Sequence, residues 1–190
     1  MTEPEILAQL EQTGALLNGH FELRSGLHSD RYFQCAHVLR HPRVAERLCA
    51  ELVRRMRPAL SGIRLDGVIA PALGGILVGH EVARALDIGS IFAEKQDNRL
   101  VLRRFAIKPG ERYVVAEDVI TRGGRVQETI DIVRAAGGTA AAVAVLVDRS
   151  AGTVRFECPT FSLLQMAPQT WEPAVCPLCR QGSPAVHPGS

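Results

Sequence analysis

The stretch Arg112-Tyr-Val-Val-Ala-Glu-Asp-Val-Ile-Thr-Arg-Gly-Gly-Arg125 decides how the chain is read. Tyr113 to Ala116 are apolar and bulky enough for a buried parallel strand, and Glu117 and Asp118 follow at its carboxyl end. Thr121, Arg122, Gly123 and Gly124 then turn the chain into an amphipathic run from Val126 to Ala136. Backbone N–H groups at such a turn and helix N-terminus suit a phosphate. Carboxylates a few residues earlier repel one, so they are expected to meet hydroxyls or Mg²⁺. A ligand with a phosphate at one end and a cis-diol beside it, a ribose 5-phosphate, satisfies both poles. Acids after a strand, or Gly before a helix, are common singly in α/β proteins; their order and spacing together carry the reading.

Outward from this centre, strands alternate with helices, which predicts an α/β fold with a doubly wound parallel sheet. Asp66 to Ala70 is a short buried strand leading through Pro71-Ala72-Leu73-Gly74-Gly75 into a helix that runs to about Leu86. Ser90 to Glu94 is the next strand, and Lys95 to Arg104 suggests a basic hairpin arm without an obvious core-facing anchor. Pro109-Gly110 turns the chain back into the central strand. Ala140 to Val147 is another buried strand, ending in Asp148-Arg149-Ser150 at a carboxyl end, where open α/β sheets place ligand groups. Val154 to Phe156 and Phe161 to Gln165 are candidate edge strands. At the N-terminus, Thr2 and Glu5 form a capping box for a helix expected to run to Asn18-Gly19. His20 to Arg24 and Arg31 to Leu39 are read as strands, and Pro42 opens a helix ending at Pro58.

The 190 residues suffice for one domain with a real core. With 46% hydrophobic and 22% charged residues there is no case for disorder, and a net charge of +2 does not suggest a nucleic-acid partner. The longest apolar run, Ala140 to Val147, is too short to span a bilayer, so no membrane partner is expected. An acidic, polar N-terminus does not read as a signal peptide. An odd number of cysteines, five, scattered along the chain argues against a disulfide framework and for the cytoplasm.

The central stretch resembles the phosphoribosyl diphosphate (PRPP) signature of type I phosphoribosyltransferases: a hydrophobic strand, two acids, two apolar residues, Thr and a short Gly-bearing turn. Arg122 and Arg125 depart from it, standing where small or hydroxyl residues are usual. Two guanidinium groups there either add phosphate contacts or crowd the loop. Phe21 to Phe33 resembles the N-terminal hood of orotate phosphoribosyltransferases, with Arg24 before Ser25-Gly26 in place of the usual Lys and the aromatic pair Tyr32-Phe33.

The resemblance covers nearly the whole chain. It implies a single phosphoribosyltransferase domain over 1–190, with about 1–40 and the C-terminal tail forming a hood and 94–110 a mobile flap. The implied reaction is orotate plus PRPP giving orotidine 5′-monophosphate and pyrophosphate, with Mg²⁺ as cofactor. The resemblance makes Lys95 and Asp118 the catalytic candidates. It gives PRPP to Lys95, to the run Glu117, Asp118, Val119, Ile120, Thr121, Arg122, Gly123, Gly124 and Arg125, and to the loop Ala72, Leu73 and Gly74, where a non-proline cis peptide is expected. Orotate falls to Arg24, Tyr32, Phe33, Thr121 and Arg149, the last pairing with its carboxylate. Mg²⁺ is expected through PRPP, near Glu117 and Asp118, rather than on protein side chains alone. A homodimer with shared sites is implied, Lys95 reaching the neighbouring subunit. The family's further flap Lys and His are missing, although Arg99, Arg103 and Arg104 keep the arm basic. The alternatives are a purine or uracil phosphoribosyltransferase, in which Arg149 loses its carboxylate partner, and a non-catalytic PRPP-sensing regulator.

Cys176-Pro-Leu-Cys179 offers two of the four ligands that a structural Zn²⁺ site needs. No second pair follows, and His187 is too isolated to serve as a third. Inert thiols are the favoured reading, with a metal site and a redox pair as the alternatives, so whether Cys176 and Cys179 bind a metal stays open here.

Overall fold

Residues 1–23 and 25–188 are described by the structure, a computed structural model. In chain order the elements are α1 (Glu3–Gln12), β1 (Leu16–Glu22), β2 (His28–Phe33), α2 (Ala36–Leu39), α3 (Pro42–Met56), β3 (Gly67–Pro71) and α4 (Gly74–Leu86). There follow β4 (Gly89–Gln96), β5 (Arg99–Val101), β6 (Arg112–Ile120), α5 (Gly124–Ala135), β7 (Thr139–Asp148), β8 (Thr160–Gln165), β9 (Thr170–Trp171) and α6 (Pro177–Arg180).

The long strands are apolar on both faces because both faces are covered. Their order is β5-β4-β3-β6-β7-β8, parallel throughout except for the antiparallel edge strand β5. On one face Val68, Val114 and Ala142 join Leu48 and Leu52 of α3 and Val78 and Val82 of α4. On the other, Ile69, Val115 and Val143 join Val126, Ile130 and Val133 of α5. Each such Val, Leu or Ile contributes about 1.5–3 kcal/mol when fully buried. The helix after β3 and the helix after β6 thus lie on opposite faces although the two strands are neighbours. Their connecting loops diverge and leave a crevice at the strands' carboxyl ends.

A second, three-stranded antiparallel sheet, β1-β2-β9, is built from the N-terminal hairpin and a strand of the tail. Here the structure corrects several boundaries. The capping box is present, but α1 stops at Gln12 and not at Gly19. Gly14, at φ 72°, turns the chain out of the helix, and Leu16 and Leu17 enter β1 opposite Phe33 and Tyr32. Arg31 to Leu39 is not one strand: β2 ends at Phe33, and Ala36–Leu39 is helical. Val154 to Phe156 forms no strand; both apolar side chains pack instead beneath Gly123, on the α5 side of the large sheet. No helix among the described residues is long and apolar enough to cross a membrane.

Candidate active site

The crevice is a cleft of about 640 Å³, lined by Ala72, Gly74, the run from Glu117 to Val126, Asn98 and Glu128. That volume suits a ligand of nucleotide size. The loop after β6 needs glycine twice over at Gly123, which caps α5 at φ 74° and has no room for a Cβ, since one would stand 2.6 Å from Val154 Cγ1. The first-turn N–H groups of α5, free of helical partners, are thereby presented to the cleft.

The acidic pair sits against the other loop. Ala72–Leu73 is a cis peptide, within the segment where one was expected, and α4 begins at Gly74. A Cβ on Gly74 would lie 2.5 Å from Asp118 Oδ2, and one on Gly75 would lie 3.0 Å from Glu117 Oε1. Both glycines are therefore the space in which the carboxylates stand. The Asp118 N–H donates to Glu117 Oε1 at 3.0 Å. Burial, and then the neighbouring Asp118 charge, push the Glu117 carboxyl far above the usual carboxylate range, up to about 9; burial raises Asp118 as well. Two desolvated acids side by side are costly unless something electropositive meets them. A divalent cation carrying phosphate oxygens, or a pair of hydroxyl donors, meets that need, so the acidic pair fits Mg²⁺.

Arg149 follows β7, where its N–H donates to the Ile120 carbonyl at 2.8 Å. Its guanidinium carbon lies 5.7 Å from the centre of the Phe33 ring. The head is largely desolvated, which lowers its pKa, and its buried Nε has no hydrogen-bond partner among the described residues. A buried charge-bearing donor without a partner is expensive, and a planar anion is the ligand that would match it. Phe33 itself is buried in the core, whereas its neighbour Tyr32 is half-buried against Phe21. Cys35, which the sequence did not single out, bridges the two regions: its buried thiol lies 3.7 Å from the Asp118 carbonyl.

The two unusual arginines separate. Arg125 pairs with Glu128 at 2.9 Å, and Glu128 also accepts the Leu100 N–H at 2.6 Å. Arg125 therefore helps fasten the β4–β5 hairpin to α5 and is not an uncommitted phosphate ligand. Arg122 is exposed on the cleft wall and makes no ion pair among the described residues. The arm is not without an anchor, as the sequence suggested. Leu100 and Ile107 are buried, and Phe105 packs edge-on against Phe92 at 5.2 Å. Asn98, at the hairpin turn with φ 65°, reaches the cleft wall, a residue that sequence reasoning passed over. Lys95, in contrast, is exposed and lies outside the lining of its own chain's cleft, as does Leu73. Arg24 lies outside the described residues.

These features are shared with known proteins. A family model described as phosphoribosyl transferase domain matches residues 38–177. The orotate phosphoribosyltransferase of Pelotomaculum thermopropionicum is 52% identical over 191 residues, covering 100% of this chain and 98% of that protein. Among solved structures, orotate phosphoribosyltransferase from Aeropyrum pernix superposes with a TM-score of 0.64 at 26% identity, over 84% of this chain and 93% of that one. Adenine phosphoribosyltransferase from Rhodothermus marinus reaches 0.65 at 22% identity, over 86% and 99%, a likeness of fold alone. A cleft at the switch between β3 and β6, an acidic pair against a cis-peptide loop, and a match running nearly end to end place this chain in the phosphoribosyltransferase family.

Proposed function

We propose that this chain is the enzyme that transfers the 5-phosphoribosyl group of PRPP to orotate, giving orotidine 5′-monophosphate and pyrophosphate in pyrimidine synthesis. The observation that carries the choice of base is Arg149, a largely desolvated guanidinium beside Phe33 whose buried Nε has no partner among the described residues. A neutral base would leave it unmatched, whereas the orotate carboxylate matches it. The full-length likeness to orotate phosphoribosyltransferases points the same way.

No side-chain nucleophile is required. The bond from ribose C1 to the pyrophosphate oxygen breaks as the orotate ring nitrogen bonds to C1, with positive charge developing on the sugar. The chain's part is positioning and electrostatics. Glu117 and Asp118 hold the ribose hydroxyls, the α5 N-terminus and the Thr121–Gly124 turn hold the 5-phosphate, and the Ala72–Gly74 loop faces the pyrophosphate. Mg²⁺ bound with PRPP supplies positive charge to offset the departing pyrophosphate.

The small sheet serves as the hood and residues 94–110 as the flap that excludes water. A homodimer with shared sites is supported by Lys95, which is exposed and apart from its own cleft. Five free cysteines suit a reducing cytoplasm. The test is the loss of orotate absorbance on adding PRPP and Mg²⁺, with adenine, hypoxanthine and uracil as controls. Turnover of a control base in place of orotate overturns the assignment of substrate, and PRPP binding without any turnover overturns the assignment as an enzyme.

A further inference from the structure

Two pairs of metal-ligating side chains, far apart along the sequence, converge at the edge of the small sheet. His20, on β1, and His28, at the start of β2, are brought together by the hairpin; Cys176 and Cys179 frame the first turn of α6. One ligand atom from each lies within 4.8 Å of all the others. His20 Nε2 is 3.5 Å from Cys176 Sγ and 3.8 Å from Cys179 Sγ, and His28 Nδ1 is 3.3 Å from Cys179 Sγ. With Zn–N near 2.0–2.1 Å and Zn–S near 2.3 Å, a tetrahedral site has N···S edges of about 3.5 Å. The two nitrogens, 2.8 Å apart, need to open by only about half an ångström to reach the corresponding N···N edge.

The surroundings are those of a built site. His20, His28 and Cys176 are buried, and Cys179 closes the outer side. His20 Nδ1 lies 2.8 Å from the Ser183 carbonyl, which can only accept, so Nδ1 carries the proton and Nε2 presents a lone pair to the cluster. A second nitrogen fixed in this way is the usual support of a metal-bound imidazole. The tail also has little else to hold it. Neither α6 nor the 3-10 turn before it, Pro173–Val175, buries any residue, and Val175 and Val186 are exposed. Its backbone nevertheless follows β1, Val186 N–H donating to the His20 carbonyl at 2.9 Å and Glu22 N–H to the Val186 carbonyl at 2.9 Å. An appendage without a core needs a staple.

We infer that His20, His28, Cys176 and Cys179 bind one Zn²⁺, which fastens the C-terminal tail to the N-terminal hairpin. Binding converts two thiols to thiolates, their protons passing to solvent, and leaves the four positions filled by protein, so the site is structural and holds no open position for chemistry. A tetrahedral S₂N₂ donor set selects zinc over magnesium, which keeps this ion distinct from the one carried with PRPP.

The test uses the full chain, purified untagged in reductant without chelator. Elemental analysis is expected to find about one zinc per chain. Cys179→Ser removes a ligand at the exposed corner and is expected to lose most of the metal, whereas Cys158→Ser, away from the cluster, keeps it. Chelator-stripped wild type titrated with Co²⁺ is expected to give the strong visible bands of a tetrahedral thiolate complex, saturating near one equivalent and abolished by zinc. That titration needs no variant to fold. Protein below about a tenth of a zinc per chain that also gives no tetrahedral cobalt bands overturns the inference, as does a Cys179→Ser protein that retains wild-type zinc. Iron at these four ligands in place of zinc, or a Cys176–Cys179 disulfide in freshly purified protein, overturns it too.

Discussion

Gly74→Ala would test whether the acidic pair is positioned by the loop that faces it. A Cβ at this position would stand 2.5 Å from Asp118 Oδ2, 2.8 Å from Cγ and 3.1 Å from Oδ1, and these are its three nearest neighbours. Relief to ordinary contact near 3.5 Å requires the carboxylate to retreat by about 1 Å. Because the atoms it meets belong to one side chain, the strain falls on Asp118 and not on the sheet. The helical backbone at the start of α4 tolerates Ala, which is favoured over Gly by up to about 1 kcal/mol within a helix. Folding should therefore be kept while Asp118, the carboxylate proposed to hold the ribose hydroxyls, is displaced. A misplacement of about 1 Å can cost on the order of 10²-fold in rate, or about 2.7 kcal/mol. The assay is orotate consumption at varied PRPP, beside a thermal melt of the same preparation. The expected result is kcat/KM for PRPP lower by about 10²-fold with Tm little changed. The same substitution in an Asp118→Ala background should cost almost nothing more, because the clashing carboxylate is gone. A near-normal Gly74→Ala enzyme, or an equal loss in both backgrounds, would refute the close approach as the reason for glycine.

Three further outcomes are expected. Arg149→Lys replaces a planar fork by a point charge, so KM for orotate should rise far more than KM for PRPP; equal effects would make Arg149 structural. Glu117 has its folded-state pKa raised from 4.5 to about 9, so its contribution to stability is full below about pH 4.5 and is lost as pH rises toward 9. The ligand-free wild type should lose Tm over that window more steeply than Glu117→Gln, and identical slopes would remove Glu117 as the cause. Lys95→Ala mixed with Asp118→Ala should recover roughly a quarter of wild-type activity after subunit exchange, since one site of each mixed dimer then lacks both defects; no recovery would sink the shared site.

The centre of the molecule was legible because its signals are local. From Tyr113 to Gly124 the strand, the acidic pair, the glycine turn and the helix start follow one another within a single supersecondary unit. Each is set by sterics or hydrogen bonding with near neighbours. The structure keeps their order, and the βα unit at Gly67–Leu86 likewise. Boundaries failed where a tertiary partner overrode the local pattern. Leu16 and Leu17 continue the apolar spacing of α1, yet Gly14 releases them to pair with Phe33 and Tyr32. Val154 and Phe156 look like strand residues, but the space beneath Gly123 takes them instead.

The four clustered ligands show the opposite limit. Cys176 and His20 are 156 residues apart, and no window along the chain contains both. Each half is ambiguous alone: two thiols at Cys-x-x-Cys spacing are half a site, and two histidines in a hairpin are ordinary. What joins the histidines is register. Glu22 pairs with His28, so His20, two residues earlier, is diagonal to it across the ladder, and a bulge between Asn18 and Phe21 adjusts the pairing there. What joins the halves is β9, whose Trp171 pairs with His28 and delivers the following Cys pair to the same edge. The small sheet and the proposed metal site therefore depend on the same strand pairings. The sheet, which buries Leu16 and Phe33 in the main core, positions the ligands, and a metal at its rim would fasten to it a tail whose short helical turns bury nothing.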